Sequence, residues 1–177
     1  MKRLLIFCLA LFLLSGCAPA AQEPDYSLVL KVMYNAPVEN TVCCIWYGAE
    51  PDESSADFTA CRELFTESGW EYFTKSSSKW DTVVSYHDML MTAGASSSLQ
   101  ETHFDETGET VDYAGESRFL VKWTAKVSLT LENTTESYDV SGTFSLDSEG
   151  KIAAFSLTDD SGLRNACVNH IKSSINQ

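Results

Sequence analysis

The sequence predicts an α+β domain, in which N-terminal helices pack on the concave face of a curved antiparallel β-meander and a C-terminal helix follows. Three observations predict this class. Apolar residues recur at helical spacing through much of the first half, the period changes to two from Ser97, and helical spacing returns after Asp159. The mature chain has the length of one domain. Helices that precede a run of strands are typical of α+β folds.

The central element is the strand from Ser117 to Leu131. Its odd positions from Phe119 onward are apolar, and its even positions from Lys122 onward are polar. Successive side chains on a strand point to opposite faces, so one face is expected to be buried and the other hydrated. Fifteen such residues would extend about 50 Å, and a strand of that length must twist and curve. The helices are expected to fill the concave side.

The first half of the chain contains several helical patterns. Tyr26–Met33 is ambiguous between strand and helix. Pro37 can begin a helix because its missing N–H would have had no partner there. The other elements predicted here are helices at Val38–Gly48, Asp57–Phe65 and Trp80–Met91, and a further turn of helix capped by Thr66, with Gly69 as a bend.

The second half alternates apolar and polar residues, interrupted by turn signals. Leu99–Phe104 is a predicted strand, Asp105–Gly108 a turn, and Thr110–Tyr113 a segment that pairs back against that strand. After the central strand, two more strands, Tyr138–Leu146 and Lys151–Thr158, complete a meander with short turns. A final helix begins at Asp159 or Ser161. Its predicted buried face consists of Leu163, Ala166, Cys167, His170 and Ile171.

The N-terminus has the pattern of an export signal. Lys2 and Arg3 precede the apolar run Leu4–Leu14, which is shorter than the roughly 20 residues that span a bilayer. The run ends in Leu14-Ser15-Gly16-Cys17, which resembles the lipobox of bacterial lipoproteins. The resemblance implies cleavage before Cys17, diacylation of its thiol and acylation of its new amine. The alternative is an ordinary signal peptide with an incidental cysteine.

These boundaries divide the chain into a signal peptide at residues 1–16, a lipidated tether at residues 17–25 and a single α+β domain at residues 26–177. The full chain has 12 basic and 25 acidic residues, and loss of Lys2 and Arg3 would change its formal charge from −13 to −15. Nucleic-acid binding requires a basic surface and is therefore disfavoured. The same charge argues against the polypeptide lying on an anionic membrane. Solubility is the simplest role for this acidity.

The order of helices, meander and the turn Asp147–Ile152 resembles the nuclear transport factor 2-like superfamily, a cone-shaped α+β fold shared with ketosteroid isomerases and polyketide cyclases. Leu64–Phe73 looks like the helix-turn of small bacterial lipoproteins with that fold. The resemblance covers roughly residues 36–158 and implies a pocket between the concave sheet face and the helices. Clefts of this kind commonly bind ligands. The residues predicted to wall this pocket are Trp70, Trp123, Tyr138 and His87.

The cone-shaped enzymes, by resemblance, use an Asp or His that reaches into the pocket. The chain offers three candidates, which are His87 with Asp88, His103 with Asp105, and Asp112. None matches a catalytic position of the family, so no catalytic residue is assigned. A general base also needs burial or a charged partner to bring its pKa toward neutrality.

Cys43, Cys44, Cys61 and Cys167 remain in the mature domain besides Cys17. Outside the membrane a disulfide is permitted. It could join Cys43 or Cys44 to Cys61, with Cys167 as another partner. The alternative is that these residues are small buried hydrophobic side chains. The cysteine and histidine spacing does not indicate a metal site, and we expect no cofactor.

Two function classes follow from these patterns. The first is a lipid-anchored, non-catalytic module on the extracytoplasmic face of the cell membrane or outer membrane, which binds an envelope protein or a small ligand. The second is a cone-fold enzyme of the isomerase or cyclase kind that acts on a small apolar substrate. An enzyme would need a buried carboxylate or histidine in a closed apolar pocket. The central strand carries no ionisable group on its apolar face between Phe119 and Leu131, which favours the binding module.

Overall fold

The structure is a computed structural model that describes residues 24–35, 56–113 and 116–175. The described residues form an α+β fold, as predicted, with a four-stranded antiparallel sheet in the order β1-β2-β3-β4. The elements are α1 (Ser27–Tyr34), α2 (Ala56–Glu63), α3 (Glu67–Thr74), α4 (Val83–Ala93), β1 (Ala95–Tyr113), β2 (Glu116–Leu131), β3 (Thr134–Leu146), β4 (Ile152–Asp159) and α5 (Ser161–Ile175). None of the helices in these ranges is long and apolar enough to cross a membrane.

Strand β2 has the two faces that its sequence predicts. Trp123, Val127 and Leu129 are among the apolar side chains buried toward the helices, whereas Lys122 and Lys126 are exposed on the opposite face. The curved sheet therefore has one face under the helices and one face in water. Phe119 departs from this pattern and is 52% exposed.

The helices begin and end where their capping residues allow. The Thr66 hydroxyl accepts a hydrogen bond from the Gly69 backbone N–H at 3.1 Å and so caps α3, as predicted. At the start of α4, Thr82 and Ser85 exchange side-chain and backbone hydrogen bonds in a capping box. Gly94 ends α4 in the left-handed conformation with φ of 60°, and β1 starts at the next residue.

Strand β1 corrects two predictions. Asp105–Gly108 is not a turn, and Thr110–Tyr113 does not pair back against Leu99–Phe104. Instead, β1 continues along β2, with Thr110 opposite Phe119, after an irregularity between Glu106 and Thr110. Gly108 has a φ of 64° within this irregularity. Turn-type residues thus form a bulge, which accommodates extra residues in one strand without reversing the chain.

Gly69 is also not a bend, because it lies inside α3. A Cβ at this position would overlap the carbonyl oxygen of Ile152. The absence of a side chain therefore allows α3 to approach β4 closely. The ambiguous segment Tyr26–Met33 is helical in α1, whereas the predicted helix Val38–Gly48 lies outside the described residues.

Neighbouring segments occupy part of both outer edges of the sheet. Beside β4, the Ile152 N–H donates to the Leu64 carbonyl at 2.8 Å, and the Thr66 N–H donates to the Ile152 carbonyl at 3.0 Å. Beside β1, the Leu99 N–H donates to the side-chain carbonyl of Asn35 at 2.8 Å. These bonds satisfy backbone groups that an edge strand would otherwise expose.

Candidate functional site

Trp123 lies in the packed interior between the sheet and the helices, with 1% of its surface exposed. Its ring centroid is 5.8 Å from that of Phe155, 6.0 Å from that of Phe144 and 6.5 Å from that of Tyr34. Its indole N–H has no hydrogen-bond partner among the described residues. The predicted pocket wall at this position is therefore part of an aromatic core.

His87 is fully buried on α4. Its Nε2 atom lies 2.9 Å from the Met33 carbonyl oxygen, which identifies Nε2 as the protonated nitrogen of the neutral ring. Its Nδ1 atom is buried with no partner in the described part of the chain. Burial lowers the pKa of His87 to about 4 from the usual 6.5, against a smaller opposing effect of backbone hydrogen bonds. His87 thus joins α4 to α1 as a neutral side chain.

Trp70 occupies a different place, at the junction of α2 and α3. The half-buried ring packs against Phe58 at 4.9 Å and Phe65 at 5.5 Å between centroids. A cleft of about 370 Å³ lies beside it, lined also by Arg62, Glu67 and other residues of these helices.

Tyr138 lies on β3 beside α5. Its hydroxyl donates to Glu136 Oε2 at 2.6 Å, and this hydrogen bond, with burial as a smaller cause, raises the pKa of Tyr138 to about 12. The residue lines a cleft of about 240 Å³ with Leu129 and with His170 of α5. The four residues predicted to share a pocket are therefore distributed among a core and two separate clefts.

A groove of about 450 Å³ crosses the hydrated face of the sheet. We refer to it as the sheet-face groove. Its polar lining comes from all four strands and includes Glu101, His103, Thr124, Lys126, Asp139, Ser141 and Asp159. The register explains this convergence, because Lys126 lies opposite both Glu101 of β1 and Asp139 of β3, and Ser141 lies opposite Asp159.

The groove has mixed but mainly acidic charge. Lys126 Nζ is 3.9 Å from Glu101 Oε2, and its strand neighbour on the other side is Asp139. At one end, the Ser161 backbone N–H and hydroxyl donate to Asp159 Oδ1 at 3.1 and 2.8 Å. These bonds, the backbone one first, lower the pKa of Asp159. The groove thus presents three carboxylates, one ammonium group and several hydroxyls to water.

The groove was not predicted as a site, although its residues were visible as the polar positions of the alternating strands. Alternation identifies a hydrated face, and most hydrated faces are only surface. The missing information was register, which decides which polar residues of different strands are neighbours. Asp139 and Lys126 are thirteen positions apart in the sequence and adjacent in the sheet.

The other candidates for catalysis lie on the surface. His103 Nε2 is 3.1 Å from Asp105 Oδ1, but both side chains are at least 70% exposed. Asp88 is exposed although its neighbour His87 is buried, and Asp112 is exposed near the end of β1. Within the described ranges, no three His, Cys, Asp or Glu side chains are placed to hold a metal ion.

Cys61 and Cys167 are both buried and are not joined to each other. Burial raises the pKa of both thiols, that of Cys167 to about 11, so neither is activated as a nucleophile. Cys43 and Cys44 lie outside the described residues, so a bridge that involves them stays a prediction, as does lipidation of Cys17.

No protein-family model matches the chain, and neither the curated proteins nor the solved structures contain a detectably similar protein. The resemblance to the nuclear transport factor 2-like superfamily therefore stays a prediction.

Proposed function

We propose that the protein is a lipoprotein held by Cys17 on the extracytoplasmic face of the cell membrane or outer membrane, where it acts as a non-catalytic binding module. The observation that supports this function is the sheet-face groove, an open surface to which all four strands contribute charged or hydroxyl side chains. A polar ligand or a segment of an envelope protein fits its chemistry, because three carboxylates outnumber the single ammonium group of Lys126.

Anchoring rests on the sequence alone. Leu14-Ser15-Gly16-Cys17 directly follows an apolar run of secretory length. Two or three acyl chains on Cys17 would hold the protein stably, since a single chain gives only marginal membrane binding. The excess of acidic residues disfavours nucleic acid as the partner.

The buried ionisable groups favour a binding module over a cone-fold enzyme. His87 is engaged by the Met33 carbonyl, and the buried Asp160 carboxylate is paired with Arg164, whose Nη2 atom lies 2.6 Å from it. Neither His87 nor Asp160 lines the sheet-face groove or the clefts beside Trp70 and Tyr138. An acid or base in these three places would therefore act in water, without burial to bring its pKa toward neutrality.

The binding function can be tested by photo-crosslinking in cells that produce the protein. Thr124 in the groove is replaced by benzoylphenylalanine, and Tyr72, which is exposed on α3 beneath the other face of the sheet, receives the same replacement as a control. We expect a discrete adduct at position 124 that is absent at position 72. The charge reversal Asp139→Lys should weaken that adduct several-fold. Adducts that are equal at both positions, or insensitive to Asp139→Lys, would contradict binding in the groove.

A further inference from the structure

An apolar cavity of about 270 Å³ lies at one end of the sheet, away from the sheet-face groove. Its lining includes Phe119, Leu120, Val121 and Leu146, with Asp147 and Gly150 of the β3–β4 turn at its border. We refer to it as the Phe119 cavity. None of the residues that line the Phe119 cavity also lines the sheet-face groove.

Phe119 is unusual among the aromatic residues of β2 and β3. It occupies the apolar register of β2, two positions before the buried Val121 and opposite Leu146 of β3, and yet it is 52% exposed. The exposed ring is continuous with the apolar lining of the cavity, and a contiguous exposed apolar surface marks a site of interaction with a protein, a ligand or a membrane.

The N-terminal end of the described domain lies next to this cavity. The Tyr26 hydroxyl, just before α1, donates to the Gly150 carbonyl at 2.6 Å. The Tyr26 ring lies 5.9 Å from that of Phe144, which is opposite Val121 in the sheet. Gly150 at the border of the cavity is therefore a direct neighbour of the point where the tether enters the domain, and Phe144 lies between that point and Val121.

The length of the tether limits the distance between this point and the bilayer. Tyr26 follows Cys17 by nine positions, and a fully extended chain of that length reaches at most about 30 Å. The opposite end of β2, at Leu131, lies about 40 Å farther along the strand. Of the two ends of the sheet, the end with Phe119 is the one that the tether keeps near the membrane.

We propose that the Phe119 cavity docks on the bilayer and that the Phe119 side chain enters the interface between headgroups and acyl chains. This inference rests on the proposed anchoring at Cys17. Apolar side chains such as phenylalanine are the ones that surface-bound proteins bury at the boundary between headgroups and acyl chains. Docking fixes the orientation of the domain and leaves the sheet-face groove open to a partner.

The charged residues around the cavity favour lipids without net charge over anionic lipids. Glu106 and Asp147 border it, and both carboxylates lie close enough to Tyr26 to add to the effect of burial in raising its pKa. Carboxylates at this border oppose an anionic surface, whose potential attracts basic residues instead. The occupant is therefore a bilayer of lipids without net charge, such as phosphatidylcholine or phosphatidylethanolamine.

The test uses the full-length protein, isolated with its lipid and reconstituted in phosphatidylcholine vesicles. Benzoylphenylalanine replaces Phe119 in one variant and Met91 in the control. Met91 is 50% exposed, so the two positions are matched in exposure, but it lies near Ala95, which is opposite Leu131 at the far end of the sheet. Thermal unfolding followed by circular dichroism verifies that both variants fold.

We expect several-fold more adducts with vesicle phospholipid at position 119 than at position 91, and fewer at position 119 when anionic phosphatidylglycerol is added at low salt. Equal lipid adducts at both positions in a vesicle-bound protein would overturn docking while leaving the anchor intact. Adducts at position 119 with a second copy of the chain, or with the acyl chains on Cys17, would overturn docking on the bilayer, because the cavity would then hold that other occupant. A protein that does not bind vesicles would overturn both the anchoring and the docking.

Discussion

The indole ring of Trp123 lies directly over Gly142, its neighbour across the β2–β3 ladder. A Cβ at position 142 would overlap two atoms of the indole and the carbonyl oxygen of Ser156 on β4. Trp123, the largest buried side chain of the sheet, therefore fits in this position only because Gly142 opposite it has no side chain. This pair determines how closely β3 and the aromatic core can pack.

We predict that Gly142→Ala lowers the free energy of unfolding by about 1–3 kcal/mol, the usual effect of overpacking a core. Trp123 cannot move aside freely because it contacts Phe144, Phe155 and Tyr34. Urea unfolding measures the change. Ser141→Ala, at the preceding position facing the groove, is the matched control and should change stability much less. Equal effects of the two substitutions would show that the Trp123–Gly142 contact is not specific.

His87 makes stability depend on pH in the acidic range. Its pKa is about 4 in the folded protein and 6.5 in its ordinary state, so below pH 6.5 the unfolded chain binds a proton that the folded protein resists. Stability should be constant with respect to this group above pH 6.5 and fall as the pH is lowered toward 4. The full loss is about 3 kcal/mol, since one pKa unit corresponds to roughly 1.4 kcal/mol.

Urea unfolding between pH 4 and pH 7.5 tests this dependence on His87. We expect His87→Gln to have a shallower loss of stability toward low pH than the unchanged protein, whatever its stability at neutral pH. His103→Gln removes an exposed histidine and is the control. If His87→Gln loses stability toward low pH as steeply as the unchanged protein, groups other than His87 cause the pH dependence.

Gly69→Ala is predicted to destabilise the protein although alanine favours helices. The gain in helix propensity is about 1 kcal/mol. It is opposed by overlap of the new Cβ with the Ile152 carbonyl, a backbone atom of β4 that cannot rotate away. A net loss of about 1–2 kcal/mol is expected in urea unfolding. The neighbouring Ser68→Ala is the control, and a Gly69→Ala variant more stable than the unchanged protein would mean that α3 can withdraw from β4.

Cys17→Ser is predicted to release the protein from membranes and to leave the domain folded. The acyl chains on Cys17 would be the stable membrane anchor, and serine offers no thiol to acylate. Membrane sedimentation after cell lysis measures the release, and circular dichroism verifies the fold. Cys43→Ser should still sediment with membranes. A Cys17→Ser protein that also sediments would refute the lipoprotein assignment.

Local patterns predicted most of the architecture. The period of two placed β2, β3 and β4. Of the five residues predicted for the buried face of α5, Leu163 and Cys167 are buried, and Ala166, His170 and Ile171 are partly buried. Errors arose where one residue type has two uses. Gly108 permits a bulge as well as a turn, and Gly69 permits close packing as well as a bend. Only the tertiary partner, β2 or Ile152, distinguishes the two uses.

The candidate site was much harder to predict than the fold. Trp70, Trp123, Tyr138 and His87 have the chemistry of pocket residues, but aromatic rings and a histidine also fill cores. Tertiary packing decides between these roles: Met33 of α1 engages His87, and Phe155 of β4 covers Trp123. The sheet-face groove depends on register between strands, which is set by the whole sheet and not by any one segment.

The hydrogen bonds from Leu99 to Asn35 and between Ile152 and the segment 64–66 have a consequence for crowding. Proteins tethered to a surface meet one another at high local density, and exposed strand borders are where such encounters become polymers. Here part of each outer strand is already hydrogen-bonded to a neighbouring segment, and the acidic side chains along β1 repel another copy of the same strand. At the density that the proposed lipid anchor would produce, these contacts disfavour extension of the sheet by a neighbouring copy.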